Sequence, residues 1–239
     1  MKHIATCLAA CAFASPAMAQ GEWEFRLTPY VWAPAFEVTT GLPDGGSGSN
    51  SGSLLDYLSA AFLFAGEART GRWSFFGEYN YLNLSDGLSF PERLLFDRVR
   101  LEGSFGSLAV GYAFHDTPDN RLEAFAGARI WNISTRLEGR AVEPEISKDL
   151  TDPIIGLRGE TRLNDRWSLR GTVDIGGFGL EGSSKFQTEV IAAASYAFTE
   201  RIGGAIGYRY LKLDLDNESP PTLDEVVFYG PFIAVDFKF

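Results

Sequence analysis

Hydrophobic and polar residues alternate along much of this chain. From Val227 onward, Val227, Tyr229, Pro231, Ile233, Val235, Phe237 and Phe239 share one parity, while Phe228, Gly230, Phe232, Ala234, Asp236 and Lys238 share the other. Extended backbone sends successive side chains to opposite faces. One face of this segment is therefore apolar and aromatic, and the other is small or charged toward its end. The same two-residue rhythm predicts strands over 22–40, 57–69, 72–84, 94–114, 121–138, 152–163, 166–175, 185–198, 201–215 and 225–239. Pro29 and Pro34 cannot donate to a ladder, so the first strand should bend or bulge. In the fourth, Val99 and Leu101 keep one parity, and Leu108, Val110, Tyr112 and Phe114 keep the other. That switch predicts a bulge within Gly103-Ser104-Phe105-Gly106-Ser107.

The connections alternate as well. Thr70-Gly71, Asp116 to Asn120, Asn164-Asp165 and Thr199-Glu200 are short, and each follows an even-numbered strand. The long connections follow odd-numbered strands; the Gly/Ser-rich stretch 41–56 reads as a loop with no apolar period. No segment reaches 18 uninterrupted apolar residues, which excludes a transmembrane helix. A barrel escapes that criterion because half of each strand is polar. Short turns at one end and long loops at the other fit an all-β, transmembrane, antiparallel up-and-down β-barrel of ten strands with both termini at the short-turn end. Twelve strands would require splitting the first and fourth; eight is the smaller alternative.

At the amino terminus, Lys2 and His3 precede an apolar run, Pro16 breaks it, and Ala17-Met18-Ala19 supplies a small-x-small cleavage pattern. The expected organisation is a signal peptide over 1–19 and one barrel domain over 20–239. Leu8-Ala9-Ala10-Cys11 also fits a lipoprotein box, an alternative disfavoured by its closeness to Lys2. Both cysteines, Cys7 and Cys11, lie inside this leader, so the mature domain carries no disulfide or thiol chemistry. The net charge of −10 argues against a nucleic-acid partner. Four strands that follow short turns open with Arg and an apolar residue: Arg72-Trp73, Arg121-Leu122, Arg166-Trp167 and Arg201-Ile202. The reading is Arg paired with lipid phosphates beside an aromatic girdle at the periplasmic rim that includes Phe114, Phe198 and Phe239.

A family resemblance rests on Pro29-Tyr30-Val31-Trp32, Gly71-Arg72-Trp73, Asp174-Ile175-Gly176-Gly177-Phe178-Gly179, Gly207-Tyr208-Arg209 and Gly230-Pro231 before a terminal Phe. Together they resemble a mostly uncharacterised family of bacterial outer-membrane β-barrels, similar in architecture to opacity-type and porin-like small barrels. The last strand resembles the C-terminal strand of Gram-negative barrels. The resemblance implies that Tyr229, Ile233, Val235, Phe237 and Phe239 form the signal read by the barrel assembly machinery. It also implies outer-membrane lipid and lipopolysaccharide as surroundings, and a monomer. It carries over no ligand.

Parity assigns an inward, lumen-lining set: Arg26, Glu67, Glu78, Arg100, Glu102, Arg129, Arg158, Glu160, Arg162, Arg170, Asp174, Glu189, Arg209, Asp236 and Lys238. Two readings stay open. One is a structural barrel closed by Arg–carboxylate pairs, since charges away from water need compensation. The other is a narrow pore for small polar solutes. Binding through extracellular loops, as in an adhesin, is a rival of a different class. Catalysis is not expected, because His115 is the one histidine beyond the leader and no serine is spaced to serve it. The acidic groups Glu138, Glu143, Glu145, Asp149, Asp152 and Asp214, Asp216, Glu218, Asp224, Glu225 read as solvated loops rather than metal sites. Gly176 to Gly179 precedes no helix and reads as a strand exit rather than a phosphate loop. No cofactor is expected.

Overall fold

The computed structural model describes residues 23–41, 47–53, 58–89, 96–139, 145–215 and 222–239. The expected leader lies outside them. The described strands are β1 (Trp23–Trp32), β2 (Ala35–Gly41), β3 (Ser47–Ser53), β4 (Leu58–Thr70), β5 (Trp73–Ser89), β6 (Phe96–Asp116), β7 (Asn120–Gly139), β8 (Glu145–Arg162), β9 (Trp167–Gly176), β10 (Phe186–Ala197), β11 (Ile202–Asp214) and β12 (Thr222–Lys238).

These segments close an antiparallel barrel of ten strands. β1 and β2 act as one barrel strand interrupted at Ala33-Pro34. β1 pairs with the lower part of β12, as at Val31↔Ile233, and β2 with its upper part, as at Ala35↔Tyr229. The interruption falls at the proline, and the Ala33 amide still donates to the Pro231 carbonyl at 3.0 Å. On its other side β1 pairs with β4 from Trp23↔Thr70 to Pro29↔Phe64. Closure matters because an unpaired strand edge in hydrocarbon leaves backbone groups without partners.

Three expectations need correction. First, 41–56 is not loop throughout: β3 folds back on β2 as a hairpin outside the ten-strand ring. Second, β8 starts at Glu145 rather than 152, because it continues beside β7 as far as Arg136↔Glu145. Third, no bulge interrupts β6 in 103–107. Its register with β7 runs without a shift from Arg98↔Glu138 to Ala113↔Glu123.

The backbone parity therefore runs unbroken through 98–113, and what reverses along the described strands is the environment. On β11 the outward residues Ile202, Ile206, Tyr208 and Tyr210 are exposed and apolar, with Arg209 buried opposite. One step higher, outward Lys212 and Asp214 are charged and Leu211, Leu213 and Leu215 are buried inside. β7 and β8 reverse in the same way. Ile130, Ile155 and Leu157 face out below, whereas Asn132 and Asp149 face out above and hydrogen-bond at 2.9 Å. Below the reversal the outside of the barrel is suited to lipid; above it the barrel has the inside-out pattern of a protein in water. The nine residues Ile202 to Tyr210, at roughly 3.3 Å each and inclined by about 40°, span about 23 Å, close to the apolar band of an outer-membrane barrel.

Around the short-turn end, aromatic rings pack edge to face: Trp73 on Tyr112 at 5.1 Å and Trp167 on Tyr196 at 5.0 Å. Arg166 donates to the Tyr196 hydroxyl at 2.9 Å. Arg121 departs from the pattern expected of it. It shares the inward parity of Glu123, so its guanidinium turns into the lumen mouth and reaches Glu123 at 2.5 Å and Asp116 at 2.7 Å.

Candidate functional site: the lumen

The interior has two tiers. The upper is apolar: Trp32, Leu63, Phe105, Trp131, Leu150, Leu211, Leu213 and Leu215 pack into one cluster, flanked by Tyr30, Phe228 and Phe232. The lumen-lining set read from the sequence holds charged residues alone and omits this apolar tier, although Phe228 and Phe232 share the inward parity of Asp236. At this height the outer face meets water, so the inward parity takes the apolar residues. Trp32 donates its indole N–H to the Gly230 carbonyl at 3.2 Å, and Trp131 donates to Asp152 at 2.9 Å. Asp152 also accepts from the Ser184 amide at 2.6 Å and from its hydroxyl at 2.9 Å. This carboxylate therefore belongs to the buried interior and ties the 177–185 connection to β8, rather than to a solvated acidic loop.

Directly below lies a buried ion-pair layer. Arg129 donates to Gln187 and Glu189, both at 2.6 Å, and to Asp174 at 3.2 Å. Arg209 donates to Glu189 at 2.7 Å, to Glu78 at 2.5 and 2.9 Å, and to the Tyr30 hydroxyl at 3.0 Å. That hydroxyl lies 2.5 Å from Asn80 Oδ1. Beside this layer, Arg170 donates to Ser195 at 2.7 Å and to Asp236 at 2.6 Å, and Thr28 donates to Asp236 at 2.7 Å. Each guanidinium thus meets more than one acceptor, the condition under which a buried charge can be held away from water.

Toward the short turns the pairs loosen into a cavity of about 240 Å³, walled by Phe76, Phe125 and Ile154 and by arginines and carboxylates. Arg158 stacks its guanidinium on Phe76, 3.8 Å from the ring centroid, and bridges Glu67 and Glu123. Ser74 donates to Glu123 at 3.0 Å. Arg69 reaches Glu67 at 2.9 Å and Glu160 at 3.4 Å. Side-chain exposure falls from 25% at Glu160, 22% at Arg170 and 15% at Arg26 to 2% at Arg209 and 1% at Arg129. Exposure therefore reaches in from the short-turn end and ends at the Arg129–Arg209 layer.

Of the inward set read from the sequence, the structure brings together Arg26, Glu67, Glu78, Arg129, Arg158, Glu160, Arg170, Asp174, Glu189, Arg209 and Asp236. Arg162 and Lys238 share that face but stand exposed at the rim. The side chains of Arg100 and Glu102 lie outside the described residues. Their backbone positions pair with Arg136 and Ser134 on β7. Tyr30, Arg69, Glu123 and Gln187 were missed, although Arg69 and Glu123 share the parity of Glu67 and Arg129.

Outside the lumen, Lys212 lies 3.2 Å from Asp214 and 2.6 Å from Glu225, so an ammonium already occupies that acidic pair. Glu143, Asp216 and Glu218 lie outside the described residues. His115 is exposed at the short-turn end, in register with Leu122. On the C-terminal strand, Ile233, Val235 and Phe239 are exposed on the outward face, and Tyr229 on the same face donates to Glu37 at 3.0 Å.

No family model and no curated protein matches the chain. It is similar to solved structures of outer-membrane β-barrels. Neisserial surface protein A is 16% identical, with 90% of this chain and 97% of that one covered, at a TM-score of 0.36. The translocator domain of the autotransporter NalP from Neisseria meningitidis is 12% identical over 93% and 90%, at 0.44. Ail of Yersinia pestis, the attachment invasion locus protein, is 11% identical over 91% and 99%, at 0.39.

Proposed function

We propose that this protein is a monomeric outer-membrane barrel with a sealed lumen, a structural element of the envelope rather than a pore. The observation that carries the reading is the stacking of two seals. The apolar cluster around Trp32 and Trp131 lies directly on an ion-pair layer whose arginines are 1–2% exposed. A hydrated ion crossing it would have to displace close-packed rings and part buried charge pairs, each costing several kcal/mol. The exposed apolar belt meets lipid, with lipopolysaccharide against its upper part. The outward residues Tyr229, Ile233, Val235, Phe237 and Phe239 of β12 present the segment taken up by the assembly machinery. Catalysis is no part of the reading. Reconstitution into a planar bilayer tests it. The purified barrel, identified by heat-modifiable gel migration, should show no stepwise conductance; conductance that persists through purification would refute the sealed lumen.

One feature favours a second reading, binding at the cell surface. β6, β7, β8, β11 and β12 continue above the apolar band, and β2–β3 forms a hairpin there. This gives the outer surface a hydrogen-bonded β wall. Deleting 42–53 and 143–149 together should abolish attachment to host cells or matrix if that wall binds them, and leave it unchanged if the barrel is structural alone.

A further inference from the structure

We infer that Arg26 and Lys238 form an oxyanion clamp at the short-turn mouth of the lumen, receiving the phosphate or carboxylate of a small periplasmic solute or of an inner-leaflet lipid headgroup. The placement rests on the membrane orientation proposed above.

The β1–β12 register sets Arg26 directly opposite Lys238. Arg26 lines the cavity, and Asp236, two residues before Lys238, is buried on the inward face, so alternation puts Lys238 on that face too. Like charges directly opposite on a sheet repel. Here the protein does little to offset that repulsion. The carboxylates nearest Arg26 are Glu160 at 3.5 Å and Glu67 at 3.8 Å. Both are shared: Glu67 with Arg69 and Arg158, and Glu160 with Arg69. Asp236, the carboxylate closest in sequence to Lys238, is held by Arg170 and Thr28. Among the described residues no carboxylate stands within ion-pair distance of Lys238; Glu160 and Asp236 act on it from farther off, against Arg26 and Arg170.

The contrast with the layer above is what singles the pair out. Arg129 and Arg209 each hold partners at 2.5–2.7 Å, whereas Arg26 has none nearer than 3.5 Å. An oxyanion has two or more oxygens and can accept from a guanidinium and an ammonium at once, the arrangement in which charge-assisted hydrogen bonds are strongest. The cavity of about 240 Å³ behind the clamp, walled by Phe76, Phe125 and Ile154, leaves room for a small body attached to the anion. A chain with net charge −10 has no general attraction for anions, so capture requires a local cationic pair of this kind.

The test is calorimetric titration of the folded barrel in maltoside micelles. One arm uses inorganic phosphate; another uses short-chain phosphatidylglycerol, with short-chain phosphatidylcholine as its neutral counterpart. Heat-modifiable migration is recorded for every sample, so a failed barrel and a failed clamp are told apart. Saturable phosphate binding that weakens about tenfold in Lys238→Gln and in Arg26→Gln, and is unchanged in Lys212→Gln at the opposite end of the barrel, is the expected result. Lys238→Gln alters an exposed rim residue and keeps the test open if Arg26→Gln fails to fold. Binding of phosphatidylglycerol but not of phosphate, with the same variant pattern, identifies the headgroup as the source. The clamp is overturned if the folded barrel binds neither anion, if phosphatidylcholine binds as well as phosphatidylglycerol, or if Lys212→Gln weakens binding as much as the clamp variants.

Discussion

The Arg209 guanidinium carbon lies 5.1 Å from the centroid of the Trp32 ring. Phe105 offers a second ring at 5.2 Å. This contact is where the charged lower lumen meets the apolar upper one. A guanidinium is planar and weakly hydrated, so its faces can lie against rings while its edge donates to carboxylates. Arg209 does both: its N–H groups reach Glu78 and Glu189, and its faces meet the cluster above. One side chain joins the two seals.

Replacing Arg209 with Met should therefore leave Glu78 and Glu189 buried beside an apolar side chain. Removing one partner of a buried pair costs about 3–5 kcal/mol. Urea unfolding of the barrel in lipid vesicles should show that loss. Adding Glu78→Gln to Arg209→Met should recover part of it, because one of the stranded charges is then gone.

The height of the apolar belt can be read by placing a charge on the outward face at different levels. Ile206, 61% exposed on β11, lies within the belt. Ile206→Arg should cost about 2–4 kcal/mol in vesicle unfolding. Asn132→Arg, above the reversal and beside Asp149, should change stability by less than about 0.5 kcal/mol. Equal costs at the two positions would remove the assigned boundary.

Orientation is open to labelling, since Cys7 and Cys11 both precede residue 20. On intact cells a membrane-impermeant maleimide should modify Asn132→Cys and spare Asp165→Cys in the β8–β9 turn. Permeabilising the outer membrane should make the second site reactive.

Gly230 faces inward where the chain crosses from β1 to β2. A Cβ there would lie 2.9 Å from Pro34 Cα and 3.0 Å from the Ala33 carbonyl carbon, both backbone atoms. Gly230→Ala should accordingly lower the urea midpoint by the equivalent of about 1–3 kcal/mol. Gly66→Ala, with nothing within 4 Å of the new methyl, should leave it close to wild type.

Much of the lumen is legible in the alternation of the chain. Arg129, Arg209, Glu189 and Asp236 face inward because they alternate with residues too apolar to do anything but face lipid. Arg69 and Glu123 obey the same rule but lie beside the short turns, where strand ends are hardest to place from sequence. Arg121 was misread for a related reason: an Arg after a turn looks interfacial until Glu123 and Asp116 are seen to draw it inward. The supposed β6 bulge came from treating a change in polarity as a change in backbone.

Alternation along the chain determined the all-β barrel, its short-turn and long-loop ends and which residues within an unbroken strand share a face, because a period of two is fixed by backbone geometry wherever the strand lies. Only the tertiary structure decided what each face meets. Ile206 and Lys212 share a parity, yet one lies in the apolar belt and the other stands above it, and the interior reverses with them from Arg209 to Leu211 and Leu213. Nor does local order encode which arginine meets which carboxylate. Arg209 and Glu78 are 131 residues apart, and barrel closure brings them together.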